Sequence, residues 1–185
     1  MKTKTLILTL TAIVGSFAAD GAEVPAVKTA DARVGVYDSR VVAFAHFWSE
    51  AASKPRNELM AQARAAKAAG DTARATELGR ALSELQTRDH LEVFSTAPAD
   101  EAMAALQDRL PAIQQELGVT KLISKWDEPA LNEIPESNRV DATDRLVREL
   151  LPTLTVQQQK GIAAMKTTQP LPLDQAKKLA QSGKL

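Results

Sequence analysis

The chain has 185 residues, 44% of them hydrophobic but only 4% aromatic, with no cysteine and 23 basic side chains against 23 acidic ones. That length is enough for one ordinary domain with its own core. The missing cysteines exclude a disulfide framework, and the balanced charge excludes a strongly basic nucleic-acid binder.

The start reads as an export signal. Lys2 and Lys4 precede an apolar stretch from Leu6 to Val14, and Ser16-Phe17-Ala18 offers small residues for cleavage after Ala18, with Gly21 as the alternative. The stretch is shorter than the roughly 20 apolar residues of a membrane span. The mature protein is therefore expected in the periplasm or outside the cell, with residues 1–18 removed and 19–32 as a flexible lead.

A first strand is expected at Val34–Tyr37, and Asp38 or Ser39 can cap the helix that follows by accepting its free amide hydrogens. Apolar positions 41, 44, 48, 52, 59, 63 and 66 recur every three or four residues, predicting a helix to about Ala69. Pro55 removes one of its hydrogen bonds, so a kink near Ser53, or a fresh start capped by it, is expected. Gly70-Asp71 is a turn. A second helix is expected over Thr72–Glu92, giving an antiparallel hairpin over 39–92 whose first helix is about 45 Å long.

Thr96 and Pro98 signal a third helix, running to Leu117 with a kink at Pro111. Gly118 closes it before a second strand at Leu122–Lys125. Ala130-Leu131 and Arg139–Asp141 are further strand candidates. Helices are expected over Ala142–Leu151 and Thr155–Met165, the latter opened by a Thr155/Gln158 capping box. Pro170–Leu173 is extended, and a last, weakly anchored helix covers Asp174–Gln181. The sum is a mostly helical α+β chain: a long antiparallel helical hairpin projecting from a small antiparallel or mixed β-sheet body over 33–151, with an extension over 152–185.

Charge is uneven along this plan. Residues 54–80 carry six basic and three acidic side chains, residues 100–151 six and eleven, and residues 152–185 five and one. A basic arm tip, able to touch a membrane surface weakly, an acidic body and a basic tail are expected.

Arg33-Val-Gly-Val-Tyr-Asp-Ser-Arg40, Gly118-Val-Thr-Lys-Leu-Ile-Ser-Lys-Trp-Asp127 and Val140-Asp-Ala-Thr-Asp-Arg-Leu146 flank the hairpin. In pattern, residues 33–151 resemble the Skp/OmpH family of periplasmic chaperones for outer-membrane proteins. They are also similar to a group of uncharacterised exported bacterial proteins that share the Val-Tyr-Asp-Ser-Arg and Ser-Lys-Trp-Asp runs. The family resemblance implies a trimer whose strands form a joint body and whose arms grip an unfolded client. The partners it implies are thus unfolded outer-membrane or envelope proteins and further copies of the chain, a trimer being favoured and a monomer the competing outcome.

No site of catalysis, cofactor binding or metal binding is expected. The eight glycines are scattered, no serine sits on a glycine-rich elbow, and His46 and His90 fall about 7 Å out of register across the hairpin. The residues that draw notice follow the two strands. Tyr37, Asp38 and Arg40 after the first, and Lys125, Trp126 and Asp127 after the second, are types found at binding hot spots, and equally at helix caps and ion pairs. Phe44 and Trp48 near the arm's root could close the core or meet a partner. The leading expectation is an exported, non-catalytic holdase. Its rivals are a structural or envelope-interaction protein without a client and an enzyme of unknown chemistry using Asp38, Arg40, Lys125 and Asp127.

Overall fold

A computed structural model describes residues 32–185. The expected signal at 1–18 and all but the last residue of the lead at 19–32 lie outside the described residues. The chain is mostly helical with one small sheet.

Strand β1, Val34–Tyr37, is its centre, flanked by β2, Leu122–Ser124, and β3, Arg139–Asp141, and both pairings are parallel. Tyr37 lies opposite Ser124, and Val36 lies opposite both Ile123 and Asp141. The sheet is thus parallel rather than antiparallel or mixed. The reason is in the connections: helices fill both β1-to-β2 and β2-to-β3, and such crossovers return the chain to the end it started from. Alternation along β1 divides the faces. Val34 joins Ile123 and Leu131 on one side, and Tyr37 joins the larger core of Val42, Val93, Ala102, Ile113 and Leu146 on the other. Gly35 makes room between them, since a Cβ there would stand 2.5 Å from the Leu122 Cδ2 and the Leu122 side chain would have to move.

Helix α1, Ser39–Trp48, leaves β1 under an Asp38 cap. The break expected at Ser53 falls at Ser49, whose side chain accepts from the Ala52 amide and caps α2, Glu50–Ala68. Pro55 then lies inside α2 without ending it. The turn at Gly70 uses a positive φ of 73°, natural to glycine, and Asp71 caps α3, Thr72–Phe94. α2 and α3 pack along one another: Arg74 donates to Gln62 near the turn, and Arg56 pairs with Asp89 at 3.2 Å nearer the body.

The helix expected over 98–117 is two helices, α4 at Asp100–Leu106 and α5 at Leu110–Leu117. Pro111 occupies the first turn of α5, where its missing N–H costs nothing, so it starts a helix instead of kinking one. Pro129 does the same in α6, Glu128–Asn132, which takes the place of the strand expected at Ala130-Leu131. Thr96 does not cap α4; Ala99 precedes it with no side-chain cap.

α7, Thr143–Leu150, packs on α1 and in the main core. α8, Val156–Thr167, has both halves of its capping box. The tail covers α1 and α3, not the sheet. Ile162 and Met165 close over Val41, Phe44 and Ala45. The 94–96 corner and Leu171 exchange backbone hydrogen bonds, Thr96 N–H to Leu171 O at 2.9 Å and Leu171 N–H to Phe94 O at 3.0 Å. α9, Leu173–Gln181, lies on α3 with Ala176 fully buried, so it is anchored rather than loose.

Candidate functional site

Because the sheet is parallel, the carboxyl ends of its strands share one edge, and the residues after β1 and β2 meet there. Asp38 is 2% exposed. Its Oδ1 accepts from the Arg40 backbone N–H at 3.1 Å, capping α1, and from the Trp126 indole Nε1 at 3.3 Å. Its Oδ2 meets Lys125 Nζ at 2.6 Å and Arg40 Nη2 at 3.3 Å. Its own amide donates to Thr143 Oγ1 at 3.0 Å, tying β1 to the start of α7. Burial alone would raise the Asp38 pKa. The hydrogen bonds from Lys125 and Arg40, together with their charges, outweigh that and hold the carboxyl below its ordinary value.

Arg40, also buried, extends the network into the tail: Nη2 donates to Met165 O at 2.9 Å and Nη1 to Thr168 O at 2.8 Å. Trp126 receives both cations on its ring, with the Arg40 Cζ 4.8 Å and the Lys125 Nζ 4.5 Å from the ring centroid. Tyr37 contributes its carbonyl to the Lys125 amide at 2.8 Å, and its phenol pKa is raised by burial and then by Asp100 and Asp127. Asp127 stands outside the network. It is exposed and caps α6 by accepting from the Ala130 amide at 3.2 Å.

An open cleft of about 480 Å³ runs along this edge. Lys125, Arg139 and Lys166 face Asp38, Glu136 and Asp141 there. The charges are balanced and largely spent: Lys166 pairs with Asp144 at 2.6 Å, and Arg139 donates to the carbonyls of Leu131 and Ile134. Chemically the arrangement is a lock between β1, β2, α1, α7 and the tail. Its one buried carboxylate is held ionised and engaged, and so is not poised to take a proton near neutral pH.

Phe44 and Trp48 lie away from the lock. The Phe44 ring packs under Gly161 of α8, where an added Cβ would stand 2.8 Å from its Cζ. Trp48 is 47% exposed and touches Phe47 and Phe44 edge-on at 5.3 and 6.4 Å. The two histidines part company: His46 lines a cleft among α1, α2, α3 and α4, and His90 Nδ1 faces Leu185 O at 3.2 Å. Among the described residues no group of three or more His, Cys, Asp or Glu is placed to hold a metal ion.

The start of α2 and the later half of α3 hold a second feature, missed in the sequence. Arg56 pairs with Asp89, donates to Phe47 O at 3.2 Å and stacks on the Phe47 ring at 3.9 Å. On one side of this strut is a groove of about 330 Å³ floored by Phe47, Met60, Leu82 and Leu85. On the other is a cleft of about 370 Å³ with Leu59 and Leu85 in its wall. No residue of α2 is buried. The available signal was the apolar seam of α3 at Leu82 and Leu85, which lines these hollows together with Phe47, Met60 and Leu59.

Compared with family models, curated proteins and solved structures, the chain matches none.

Proposed function

We propose that this is an exported, non-catalytic binding protein of holdase type, which holds apolar segments of unfolded envelope proteins against an antiparallel α2–α3 arm. The observation that carries the reading is the under-buried seam: a helix of 19 residues with none buried, beside an apolar groove at its root. A helix that long gains most of its stability from packing one face, so a seam left this open has surface to offer a partner. Export rests on the Lys2–Ala18 pattern. Contact of the basic arm tip with a membrane surface would be weak, since Glu77 already answers Arg74 at 2.8 Å.

A trimer built through Val34–Tyr37 would need a free edge on β1, but β1 is paired on both sides. One built through Phe44 would need the face that α8 covers. Among the described residues β2 and β3 each keep one free edge and Trp48 is exposed, but each edge is only three residues long; we therefore read the chain as a monomer whose arm grips along an open seam rather than enclosing a client in a cage.

The test is aggregation of an unfolded outer-membrane protein diluted from denaturant. A few molar equivalents of the mature chain should slow it several-fold. Unchanged aggregation at a tenfold excess would remove the holdase reading and leave a structural or envelope-interaction role.

A further inference from the structure

A further hollow opens beside β2 and the start of α6. Its volume is about 420 Å³, within the roughly 300–1,000 Å³ of small-molecule sites, and Leu122, Trp126, Pro98 and Pro129 stand in its wall. Among the described residues no lysine or arginine lines it, and its one charged lining residue is Asp127. Tyr37 reaches it from β1. Tyr37 is 7% exposed, yet its hydroxyl has no hydrogen-bond partner among the described residues. The hydroxyl is also not sealed away from solvent, so it opens into the hollow. A buried tyrosine ring whose O–H lacks a partner is uncommon, and such a group calls for one.

Two carboxylates act on that hydroxyl. Burial raises the phenol pKa most, and Asp100 and then Asp127 raise it further. Asp100 opens α4, two residues beyond Pro98 in the wall. Asp127 gives its Oδ1 to the Ala130 amide and leaves Oδ2 unused. Neither carboxylate has an ion pair among the described residues. The cations on the Trp126 ring, Arg40 and Lys125, are both bound to Asp38. The three together leave one positive charge, against two negative ones at Asp100 and Asp127.

We propose that this hollow is a binding site for an organic cation, an ammonium or guanidinium group held by the Tyr37 hydroxyl oxygen and the Asp127 and Asp100 carboxylates. An ammonium carries three donors and no acceptor, and a guanidinium five donors and no acceptor. The unused oxygens of Tyr37, Asp100 and Asp127 can all accept from them. The carbon chain of the guest lies against Leu122, Pro98 and Pro129. A neutral apolar guest would leave the Tyr37 hydroxyl unpaired, and an anion would meet two carboxylates and no free cation. None of these residues belongs to the α2–α3 arm, so this site and the holdase reading stand or fall separately.

The test is the fluorescence of Trp126 in the wall. The chain has two tryptophans, so Trp48→Phe in the mature chain leaves Trp126 to report alone. It is titrated at constant ionic strength with diaminobutane, with N-acetyl-lysine amide and N-acetyl-arginine amide, and with neutral N-acetyl-norleucine amide. The cations should give a saturable change and the neutral probe none. Tighter binding of the diamine assigns the site to free amines, and tighter binding of the blocked amino acids assigns it to side chains of a protein. Asp127→Asn keeps the α6 cap, since asparagine caps as well as aspartate. It should weaken binding by up to about fivefold, the worth of an exposed ion pair. Tyr37→Phe, which removes only the hydroxyl, should also weaken it, and Asp100→Asn with Asp127→Asn should abolish saturation. No saturable change with any cation, an equal response to the neutral probe, or unchanged binding in the paired variant overturns the proposal.

Discussion

Asp38 and Lys125, 87 residues apart in the chain, meet at 2.6 Å across the carboxyl edge of a parallel sheet. The contact joins the end of β1 to the end of β2, with Arg40 and Trp126 completing it and the carbonyls of Met165 and Thr168 holding Arg40 from the tail. Four pieces of structure, β1, β2, α1 and the tail, meet through one carboxylate, and the Asp38 amide ties in α7.

Removing that carboxylate should therefore be costly. Asp38→Ala leaves two cations without their anion, one of them buried, and α1 without its cap. Breaking a buried pair in this way costs about 3–5 kcal/mol. Lys125→Ala should cost well under half as much, because the Lys125 side chain is one-third exposed and water takes over part of its role. Urea unfolding of the two variants checks the order. Equal, small losses would mean that the lock does not hold the sheet to α1.

The same group sets a response to acid. The Asp38 pKa is lowered, so its stabilisation is present above the ordinary carboxyl value of 3.8 and is lost as pH falls through the lower folded value. Unfolding midpoints followed from pH 5 down to pH 2 should drop steeply at the acid end. Asp38→Asn should show a shallower drop from a lower start. Parallel curves for the two proteins would contradict this.

Two glycines in helices separate the tail's packing from simple helix propensity. Gly161→Ala would place a Cβ 2.8 Å from the Phe44 ring, and overpacking of this kind costs about 1–3 kcal/mol. Gly79, inside α3, has nothing within 4 Å of an added Cβ, so Gly79→Ala should stabilise by about 0.5–1 kcal/mol. Thermal melts of both decide the matter. A stabilised Gly161→Ala would mean that α8 does not sit on α1 in solution.

Light scattering on the mature chain should give one chain's mass at every concentration, because β1 is paired on both sides, the free edges of β2 and β3 are three residues long and α8 covers the Phe44 face. A concentration-independent trimer would contradict that reading and return the chain to a caged mode of holding.

Much of this fold was legible in the sequence where a local signal decided it. Valines at 34 and 36 marked β1, and Asp38, Asp71 and Thr155 announced their caps. The Tyr37–Arg40 and Ser124–Asp127 runs each follow a strand, which lets them come together, but nothing in the sequence pairs Asp38 with Lys125 in particular. Strand direction was not legible, since β-branched runs pair either way and only the helical crossovers choose between them. Ser49 was missed because Pro55 is the louder signal, yet the α2 helix tolerates it. The apolar residues of the tail, Ile162 and Met165 among them, allow it to fold back over the sheet and the Val41–Trp48 face as the alternative to a trimer; it does lie over Val41, Phe44 and Ala45, but not over the sheet. Asp127 was grouped with the lock by its place after Trp126, but its carboxylate turns to α6. Nothing in the sequence separates Glu92, which is buried, from the exposed glutamates around it.

The most direct test of the arm as the client-holding surface is site-specific crosslinking. A photoreactive residue placed at Met60, in the floor of the root groove, and another at the exposed Asp108 on the body would each be irradiated with an unfolded outer-membrane protein. Adducts should form in quantity from position 60 and be scarce from position 108. Equal yields, or none from position 60 while aggregation is still suppressed, would show that the client is held elsewhere.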